Sequence, residues 1–446
     1  MVLAESVLTL QRRFIIMEDS SFDFKNYSEL IEKLMKQLDR LPNFIEDKLK
    51  KELGELLRLI HDHRAPRFML IGRRGSGKST LINAIFNEQV RGIGSVTAQT
   101  GKAEWLSFKR NGKTLEVLDT RGIQEGGKPS EGDTAASPEQ SILEAVHVKC
   151  PDIILYLAKA KEVDAAIQGD LKIFEDLLSA IEKKHNRNLP ILGILTQCDE
   201  LDPIDIRPCN FKNSDLDADD RVDKEEKERN IDEASRILEK HLTSSDSFKN
   251  RFVEVAPVVA YVRYRQDGTQ DRKRDYRWNI ENLIGLLLEE LPKVAKIDFA
   301  RLAEVKKYQK NIARSIHATF ATVCGGIGLQ PIPLADLPII ISLQVTMITL
   351  IAYISGKDLS LKAGRDFLGA LGVNVGAAFL LREAVRGLVK LIPLWGNVIS
   401  GAVAAAGTVG VGEAAIAFFI DEKSIEDAEK IAKSTSKEYE KSHKDE

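Results

Sequence analysis

Residues 72–79 read Gly-x-x-x-x-Gly-Lys-Ser, a spacing typical of a loop that wraps around phosphate groups. Glycine lets the backbone approach the phosphates closely, and the N–H groups at the start of the following helix point toward them. The Lys78 ammonium would then reach the β- and γ-phosphates, and the Ser79 hydroxyl would bind Mg²⁺. The predicted phosphate-binding set comprises Gly72, Gly75, Ser76, Gly77, Lys78, Ser79 and Thr80.

A second motif, Asp-x-x-Gly, begins at Asp119, directly after an apolar stretch. Asp119 would hold Mg²⁺ through a water molecule, and the Gly122 N–H would sense the γ-phosphate. Between the two motifs, Thr97 is predicted to bind Mg²⁺ and the γ-phosphate, with Thr100 as the alternative. The predicted catalytic set is Lys78, Thr97 and Gly122, and the predicted metal set is Ser79, Thr97 and Asp119.

The apolar stretch Ile191–Leu195 is followed by Thr-Gln-Cys-Asp, which places a carboxylate near the end of a predicted strand. The Asp199 carboxylate can accept hydrogen bonds from guanine N1 and N2, whereas adenine lacks this pair of donors. The Ala260 N–H, after the last predicted strand, would meet guanine O6. Together with Thr196 and Gln197, these residues predict binding of GTP and GDP.

Residues 66–293 alternate between strand and helix patterns, which is typical of a doubly wound α/β domain with its ligand at the carboxyl ends of the strands. Helices are predicted at Leu171–Lys184 and Ile231–Leu242. The segment Lys109–Thr114, which contains Asn-Gly, predicts a hairpin that pairs the second and third strands antiparallel. The six predicted strands are Arg67–Ile71, Ala103–Phe108, Leu115–Leu118, Ile153–Leu157, Ile191–Leu195 and Phe252–Val259.

Two polar segments interrupt this pattern: Gln124–Gln140, predicted to be a loop, and Asp202–Asn230, predicted to be a charged insertion. Within the second, acids from Asp215 to Glu226 fall at the ligand offsets of an EF-hand calcium loop. Asp220, however, stands at the sixth position, where the sharp turn requires glycine. A solvated acidic insertion is therefore favoured over a calcium site.

The last third of the chain changes composition. A charged helix is predicted over residues 297–314, and another over Asp421–Glu446. Between them, stretches of about twenty apolar residues match the thickness of the hydrocarbon core of a membrane. Their many Gly and Ala residues also suit close helix packing. Three interpretations stand: a buried helical bundle, helices inserted at the membrane interface, and membrane-spanning helices. The charge-free stretches are Ser315–Ala335, Leu337–Gly356 and Leu391–Gly412.

The chain of 446 residues exceeds one ordinary domain. Near its start, Tyr27–Leu38 and Phe44–Ile60 show helical periodicity, and this pair would pack on the next domain or bind a partner. The formal net charge of -3 and the short basic clusters argue against a nucleic-acid partner. The four scattered cysteines argue against a zinc site and a disulfide framework. A true start at Met1 or at Met17 stays open.

The order of these motifs resembles that of translation-factor-class GTPases of the Era-like and immunity-related kind. The resemblance implies a Ras-like P-loop fold with a mixed, mostly parallel six-stranded sheet, GTP hydrolysis, and the cofactors GTP/GDP and Mg²⁺. It covers residues 66–293. The matching residues are Gly72-x-x-Gly75-Ser76-Gly77-Lys78-Ser79, Thr97, Asp119-Thr120-Arg121-Gly122 and Thr196-Gln197-Cys198-Asp199.

Thr196 and Gln197 stand where these families usually carry Asn and Lys, and two further departures matter for mechanism. Ile123 stands where Ras-like proteins carry a water-orienting Gln, so the resemblance implies slow hydrolysis or a catalytic group supplied from elsewhere. Gly75 stands where potassium-activated relatives carry Asn, so potassium activation is not implied. Arg73 and Arg74 would be solvated, or would stabilise charge in cis or across a homodimer formed through the GTPase domain.

Residues 300–420 resemble a bacterial domain of unknown function that follows Era-like GTPase domains. That resemblance implies membrane association, with the GTPase domain in the cytoplasm. The residues that carry it are Pro331-Ile332-Pro333, Asp336, Gln344, Gly356 and Pro393-Leu394-Trp395-Gly396.

The sequence thus predicts four segments: an N-terminal helical segment (1–65), a GTPase domain (66–293), a hydrophobic, membrane-associated helical domain (297–425) and a charged tail (426–446). The predicted function is a Mg²⁺-dependent GTPase switch, slow or dependent on activation, coupled to the helical domain. Two alternatives stay open. In one, GTP gates a membrane or partner interaction without catalysis; in the other, the GTPase self-assembles to remodel membranes.

Overall fold

The structure is a computed structural model that describes residues 64–73, 75–89, 105–110, 113–119, 138–164, 167–211, 217–328, 337–357, 361–372 and 401–442, with Lys51 and Gly54. The chain divides into two compact units. The α/β unit is Arg64–Ala303, and the helical unit contains Glu304–Glu446 together with Met1–His63. Apart from Lys51 and Gly54, the predicted N-terminal helices lie outside the described residues.

Six strands form the central sheet of the α/β unit: β1 Arg67–Ile71, β2 Trp105–Arg110, β3 Lys113–Asp119, β4 Ile153–Lys159, β5 Ile191–Thr196 and β6 Phe252–Pro257. Their order across the sheet is β2-β3-β1-β4-β5-β6. Strand β2 pairs with β3 in the antiparallel sense, and the other pairs are parallel. The predicted α/β fold with a mixed, mostly parallel six-stranded sheet is confirmed.

The position of β1 in the sheet places the phosphate loop. Strands β1, β4 and β5 are buried almost throughout, which explains their continuous apolar sequences. Strand β1 lies between β3 and β4, so the winding of the chain reverses at β1. Open α/β sheets bind ligands in the crevice at the carboxyl end of such a strand. The loop that begins at Gly72 leaves β1 at this point.

Seven helices are described in the α/β unit, together with a second sheet of two strands. The predicted helix Leu171–Lys184 lies within α3, whereas the small sheet was not predicted, because β8 reads Gln-Asp-Arg-Lys-Arg-Asp and has no apolar alternation. The helices are α1 Lys78–Phe86, α2 Pro138–Val148, α3 Ile167–His185, α4 Ala218–Leu242, α5 Asp246–Lys249, α6 Ile280–Glu290 and α7 Lys293–Ala303; the strands are β7 Val262–Tyr264 and β8 Gln270–Asp275.

The charged insertion is helical from Ala218 onward. Helix α4 begins at Ala218, well before the predicted start at Ile231, and the Asp217 side chain caps it by accepting a hydrogen bond from the Asp220 N–H at 2.9 Å. The acids assigned to a calcium loop therefore lie on a helix from this point on, and that part of the loop is not formed. Asp215 lies outside the described residues.

The predicted single helix over residues 297–314 is wrong. Helix α7 ends at Ala303, and the next helix, α8 (Lys306–Gly328), begins at Lys306. Glu304, between them, has φ 55°, in the left-handed region that a right-handed helix excludes. The two units of the chain also divide at this residue.

The described helices of the helical unit are α8, α9 Leu337–Ile354, α10 Leu361–Gly372, α11 Gly401–Phe419 and α12 Ile425–Ser442. Helix α11 packs against α8, α9 and α12. The approach of α12 depends on a small residue, because a Cβ at Gly410 would lie 2.5 Å from the carbonyl oxygen of Ala432. The charged C-terminal helix thus buries Ala428 and Ala432.

Among the described residues, α11 is long and apolar enough to cross a membrane, and 67% of its apolar window is buried in the folded chain. The charge-free stretch that it continues begins at Leu391, outside the described residues. The residues from Pro331 to Asp336 and from Pro393 to Gly396, which carry the resemblance of this region, also lie outside them.

An ionic cluster connects α8 and α11. The Glu413 carboxylate accepts a hydrogen bond from Arg314 Nε at 2.8 Å, and His317 Nε2 lies 3.1 Å from Glu413 Oε1. The hydrogen bond with His317, opposed by burial and reinforced by Arg314, lowers the pKa of Glu413 to about 2. The carboxylate therefore stabilises the packing of the two helices in its charged form.

Glu413→Gln is expected to lower the free energy of unfolding at neutral pH by about 1–3 kcal/mol, because the amide cannot replace the ion pair. The folded-state pKa lies below the ordinary value of 4.5, so this stabilisation is full above that value and is lost as the pH falls toward 2. Urea unfolding of both proteins, followed by circular dichroism at neutral and acid pH, should show a difference that shrinks in acid. Glu422→Gln, in an exposed pair with Lys306, is the control. A difference independent of pH would contradict the assignment.

Candidate functional site

The phosphate loop joins β1 to α1 in a conformation that depends on glycine. Gly77, directly before α1, has φ 85°, which is strained for any residue with a Cβ. A Cβ at Gly72 would lie 2.6 Å from the Leu157 carbonyl oxygen of β4. Ser79 and Thr80 lie in the first turn of α1, where the backbone N–H groups have no partners within the helix. This arrangement suits an anion at the helix N-terminus.

Lys78 folds back over the loop. Its ammonium donates hydrogen bonds to the carbonyl oxygens of Gly72 and Arg73, the second at 3.1 Å. Phosphate oxygens are charged acceptors, and they form stronger bonds to an ammonium than neutral carbonyls do. The Ser76 hydroxyl is buried and has no hydrogen-bond partner among the described residues. The loop therefore has both a cation and an unused hydroxyl for a bound phosphate group.

Two of the three predicted metal ligands, Asp119 and Ser79, lie at the same end of the sheet. The parallel pairing of β1 with β3 sets Asp119 beside Leu70, at the root of the phosphate loop. Ser79 is at the other side of that loop, in α1. A hydroxyl and a carboxylate are the oxygen ligands that Mg²⁺ prefers in nucleotide sites. The chemistry of these two residue types suits Mg²⁺ bound together with a triphosphate.

Thr196 and Gln197 connect the base motif to the phosphate loop. The Thr196 hydroxyl lies 2.9 Å from the Ser76 carbonyl oxygen and 3.2 Å from that of Ala158. Gln197 Nε2 donates to the Gly75 carbonyl oxygen at 3.0 Å. Both side chains thus bind the loop backbone, which assigns them a positioning role there.

Asp199 and Ala260 lie on neighbouring segments. Asp199 is in the short 3-10 turn Cys198–Glu200 that follows β5. The Cys198 N–H and the Val258 carbonyl oxygen are 3.5 Å apart, so this turn is next to the segment that leads to Ala260. The structure therefore brings the phosphate loop, the Asp199 turn and the Ala260 segment to one end of the sheet.

Two residues of α4 that no sequence motif marks also contact this site. Lys227 and Asn230 donate hydrogen bonds to backbone carbonyls of residues 199–203. The signal was helical periodicity, because Lys227 shares the buried face of α4 with Ile231, Ala234 and Leu238. The predicted helix began at Ile231 and did not include Lys227. The burial of this lysine can be predicted only from a helix that begins at Ala218.

Several predicted residues cannot be placed. Thr97, Thr100, Gly122, Ile123 and Arg74 lie outside the described residues, so the roles assigned to them stay predictions.

Comparison with known proteins identifies relatives of the α/β unit. A family model described as 50S ribosome-binding GTPase matches residues 67–196. GTPase Der from Geobacillus thermodenitrificans is 33% identical over 108 residues, which cover 24% of this chain and 23% of the relative. GTPase Der from Bacillus thuringiensis is 30% identical over 114 residues, 25% of each chain. Era from Aquifex aeolicus, a solved structure, is 22% identical with a TM-score of 0.28, covering 51% of this chain and 57% of that one.

The matches are confined to one part of the molecule, and the chain spans about a quarter of the length of the curated relatives it matches. Within that part, the sheet order, the phosphate loop and the family match agree. The α/β unit has the fold of a P-loop GTPase domain, and over residues 67–196 its sequence is similar to those of bacterial GTPases.

Proposed function

We propose that this protein is a Mg²⁺-dependent GTPase that binds GTP and GDP and acts as a switch coupled to a membrane-associated helical unit. The observation that carries the proposal is the joining of two motifs. Thr196 and Gln197 bind the carbonyls of Ser76 and Gly75, which sets the Asp199 turn beside the phosphate loop. A nucleotide with its phosphates in the loop would present its base to Asp199.

Lys78 has the main role in hydrolysis. It exchanges its bonds to the Gly72 and Arg73 carbonyls for bonds to phosphate oxygens, and it stabilises the charge that grows there as water attacks the γ-phosphate in line. The N–H groups at the start of α1 bind the same phosphates. Mg²⁺, held by Ser79, Asp119 and Thr97, would neutralise phosphate charge when bound.

Ile123 supports slow or activator-dependent hydrolysis, because an apolar side chain cannot orient the attacking water. The same residue favours a second candidate, a non-catalytic module in which GTP gates binding to a membrane or partner. Ile123 lies outside the described residues, and this role follows from the chemistry of its side chain alone.

The proposal also places the helical unit at a membrane and the GTPase domain in the cytoplasm. The three charge-free stretches and the length and apolar composition of α11 support the association with a membrane. Most of the apolar window of α11 is buried in the folded chain. The proposal therefore requires association with the membrane and no particular number of spanning helices.

Single-turnover GTP hydrolysis by the full chain, with and without liposomes and Mg²⁺, tests the enzymatic part. Hydrolysis that requires Mg²⁺ and rises with liposomes would support the switch. No turnover under any condition would exclude the enzyme and leave the gated module. A specific activity that rises with protein concentration would favour self-assembly or a homodimer through the GTPase domain. Fractionation of cell lysates, followed by carbonate extraction of the membranes, tests membrane association. Protein found in the soluble fraction before carbonate treatment would contradict membrane association.

A further inference from the structure

Lys227 is a fully buried lysine next to the base motif. Its side chain, on α4, is 0% exposed. The ammonium donates hydrogen bonds to the carbonyl oxygens of Asp199, at 2.8 Å, and of Pro203, at 3.0 Å. A buried ammonium is costly unless its donors are satisfied, so its two carbonyl partners must stay in place in the folded protein.

Asn230, one turn further along α4, binds the same stretch of backbone. Its Nδ2 donates to the carbonyl oxygen of Asp202 at 2.8 Å. Residues three apart lie on one face of a helix, so one face of α4 binds the carbonyls of Asp199, Asp202 and Pro203. We call Lys227 and Asn230 the turn clamp.

The charge of Lys227 also acts on Asp199. Burial lowers the pKa of Lys227, and the Asp199 carboxylate opposes this shift. The ammonium thus interacts with both the backbone and the carboxylate of the residue that is proposed to recognise guanine.

We propose that the turn clamp, Lys227 with Asn230, consists of positioning residues that set guanine selectivity by fixing the backbone of Asp199. This inference rests on the proposed function, in which Asp199 accepts hydrogen bonds from guanine N1 and N2. Charge-assisted hydrogen bonds of this kind require donor–acceptor distances of about 2.7–2.9 Å. A turn released from the clamp loses that distance, while the phosphate loop, bound through Thr196 and Gln197, keeps its own contacts.

Lys227→Met in the full chain tests the inference through the ratio of the dissociation constants for ITP and GTP. ITP lacks the 2-amino group, so this ratio reports the bond between N2 and Asp199 and is insensitive to the phosphates. We expect a ratio of about tenfold or more in the parent, and a fall to within about threefold in the variant. Asn230→Ala, which removes one of the three bonds, should lower the ratio by a smaller factor.

Lys224→Met is the matched control. Lys224 lies one turn earlier on α4 and also donates to a backbone carbonyl, that of Phe211 at 3.1 Å, without contacting the Asp199 turn. Its removal should leave the ratio unchanged. Thermal unfolding of each variant shows whether it is folded. If Lys227→Met does not fold, the ratio measured for Asn230→Ala tests the inference.

Asp199→Asn distinguishes failure of the clamp inference from failure of the proposed function. If Asp199→Asn lowers the ratio but the folded clamp variants keep the parental ratio, or lose affinity for GTP and ITP equally, the clamp inference is overturned and the proposed function stands. If Asp199→Asn leaves the ratio unchanged, the base site itself is misplaced, and the proposed function fails with it.

Discussion

Lys78→Met is expected to lower the single-turnover rate of GTP hydrolysis by about 10²–10³-fold, the loss seen when one charge-stabilising donor is removed from a reacting site. The reason lies in the partners of the ammonium. It bonds to the Gly72 and Arg73 carbonyls of the phosphate loop, and methionine has no donor to place on phosphate oxygens. Affinity for GTP should fall more than affinity for a nucleoside monophosphate, which lacks the β- and γ-phosphates. Rapid quench of radiolabelled GTP at saturating protein measures the rate.

Lys183→Met, on the exposed surface of α3, is the control for removal of one positive charge, and its rate should equal that of the parent. Circular dichroism and thermal unfolding establish that both variants are folded. A Lys78→Met protein that hydrolyses GTP at the parental rate would show that the phosphate loop has another role, and the enzymatic proposal would fail.

The phosphate loop and the sheet around it were readable from the sequence because each feature there has a local cause. The predicted strand Arg67–Ile71 coincides with β1, since an apolar sequence of that length, bounded by a glycine-rich loop, fits a buried parallel strand. Asn-Gly between two such stretches indicated the antiparallel pairing of β2 with β3. The sequence was sufficient to predict the structure wherever the conformation of glycine, or the burial of a strand on both faces, determined it.

What the sequence did not show depends on contacts between distant segments. Lys227 is in a charged segment, and only the packing of α4 makes it the buried partner of Asp199. Thr196 and Gln197 were predicted to bind the nucleotide. Their side chains donate hydrogen bonds to the carbonyl oxygens of Ser76 and Gly75, more than a hundred residues earlier in the chain. No local sequence pattern indicates such a contact. Strand β8 formed without apolar alternation, because Arg277, Gln270 and Asn87 connect the hairpin to the end of α1 by hydrogen bonds.

Asp199→Asn is expected to weaken GTP binding by about 100-fold or more, and to make xanthosine triphosphate the preferred nucleotide. The carboxylate accepts two hydrogen bonds from guanine, each worth about 1.5–3 kcal/mol when the acceptor is charged. An asparagine amide can accept only one of them, and its NH₂ group donates instead to the carbonyl that xanthine carries at position 2. Titration of a fluorescent GDP analogue with each competing nucleotide gives the dissociation constants.

Asp205→Asn, an exposed residue in the same loop, is the matched control and should leave both affinities unchanged. The direction of the change matters more than its size, because a variant that was merely less stable would lose affinity for both nucleotides together. A change of preference from GTP to xanthosine triphosphate requires that residue 199 faces position 2 of the base while the phosphates stay in the loop. Since Thr196 and Gln197 bind the loop from the residues just before Asp199, the phosphate loop and the base turn should act as one rigid site, and the affinity for xanthosine triphosphate should approach that of the parent for GTP. Parental GTP affinity in Asp199→Asn would mean that the base lies elsewhere.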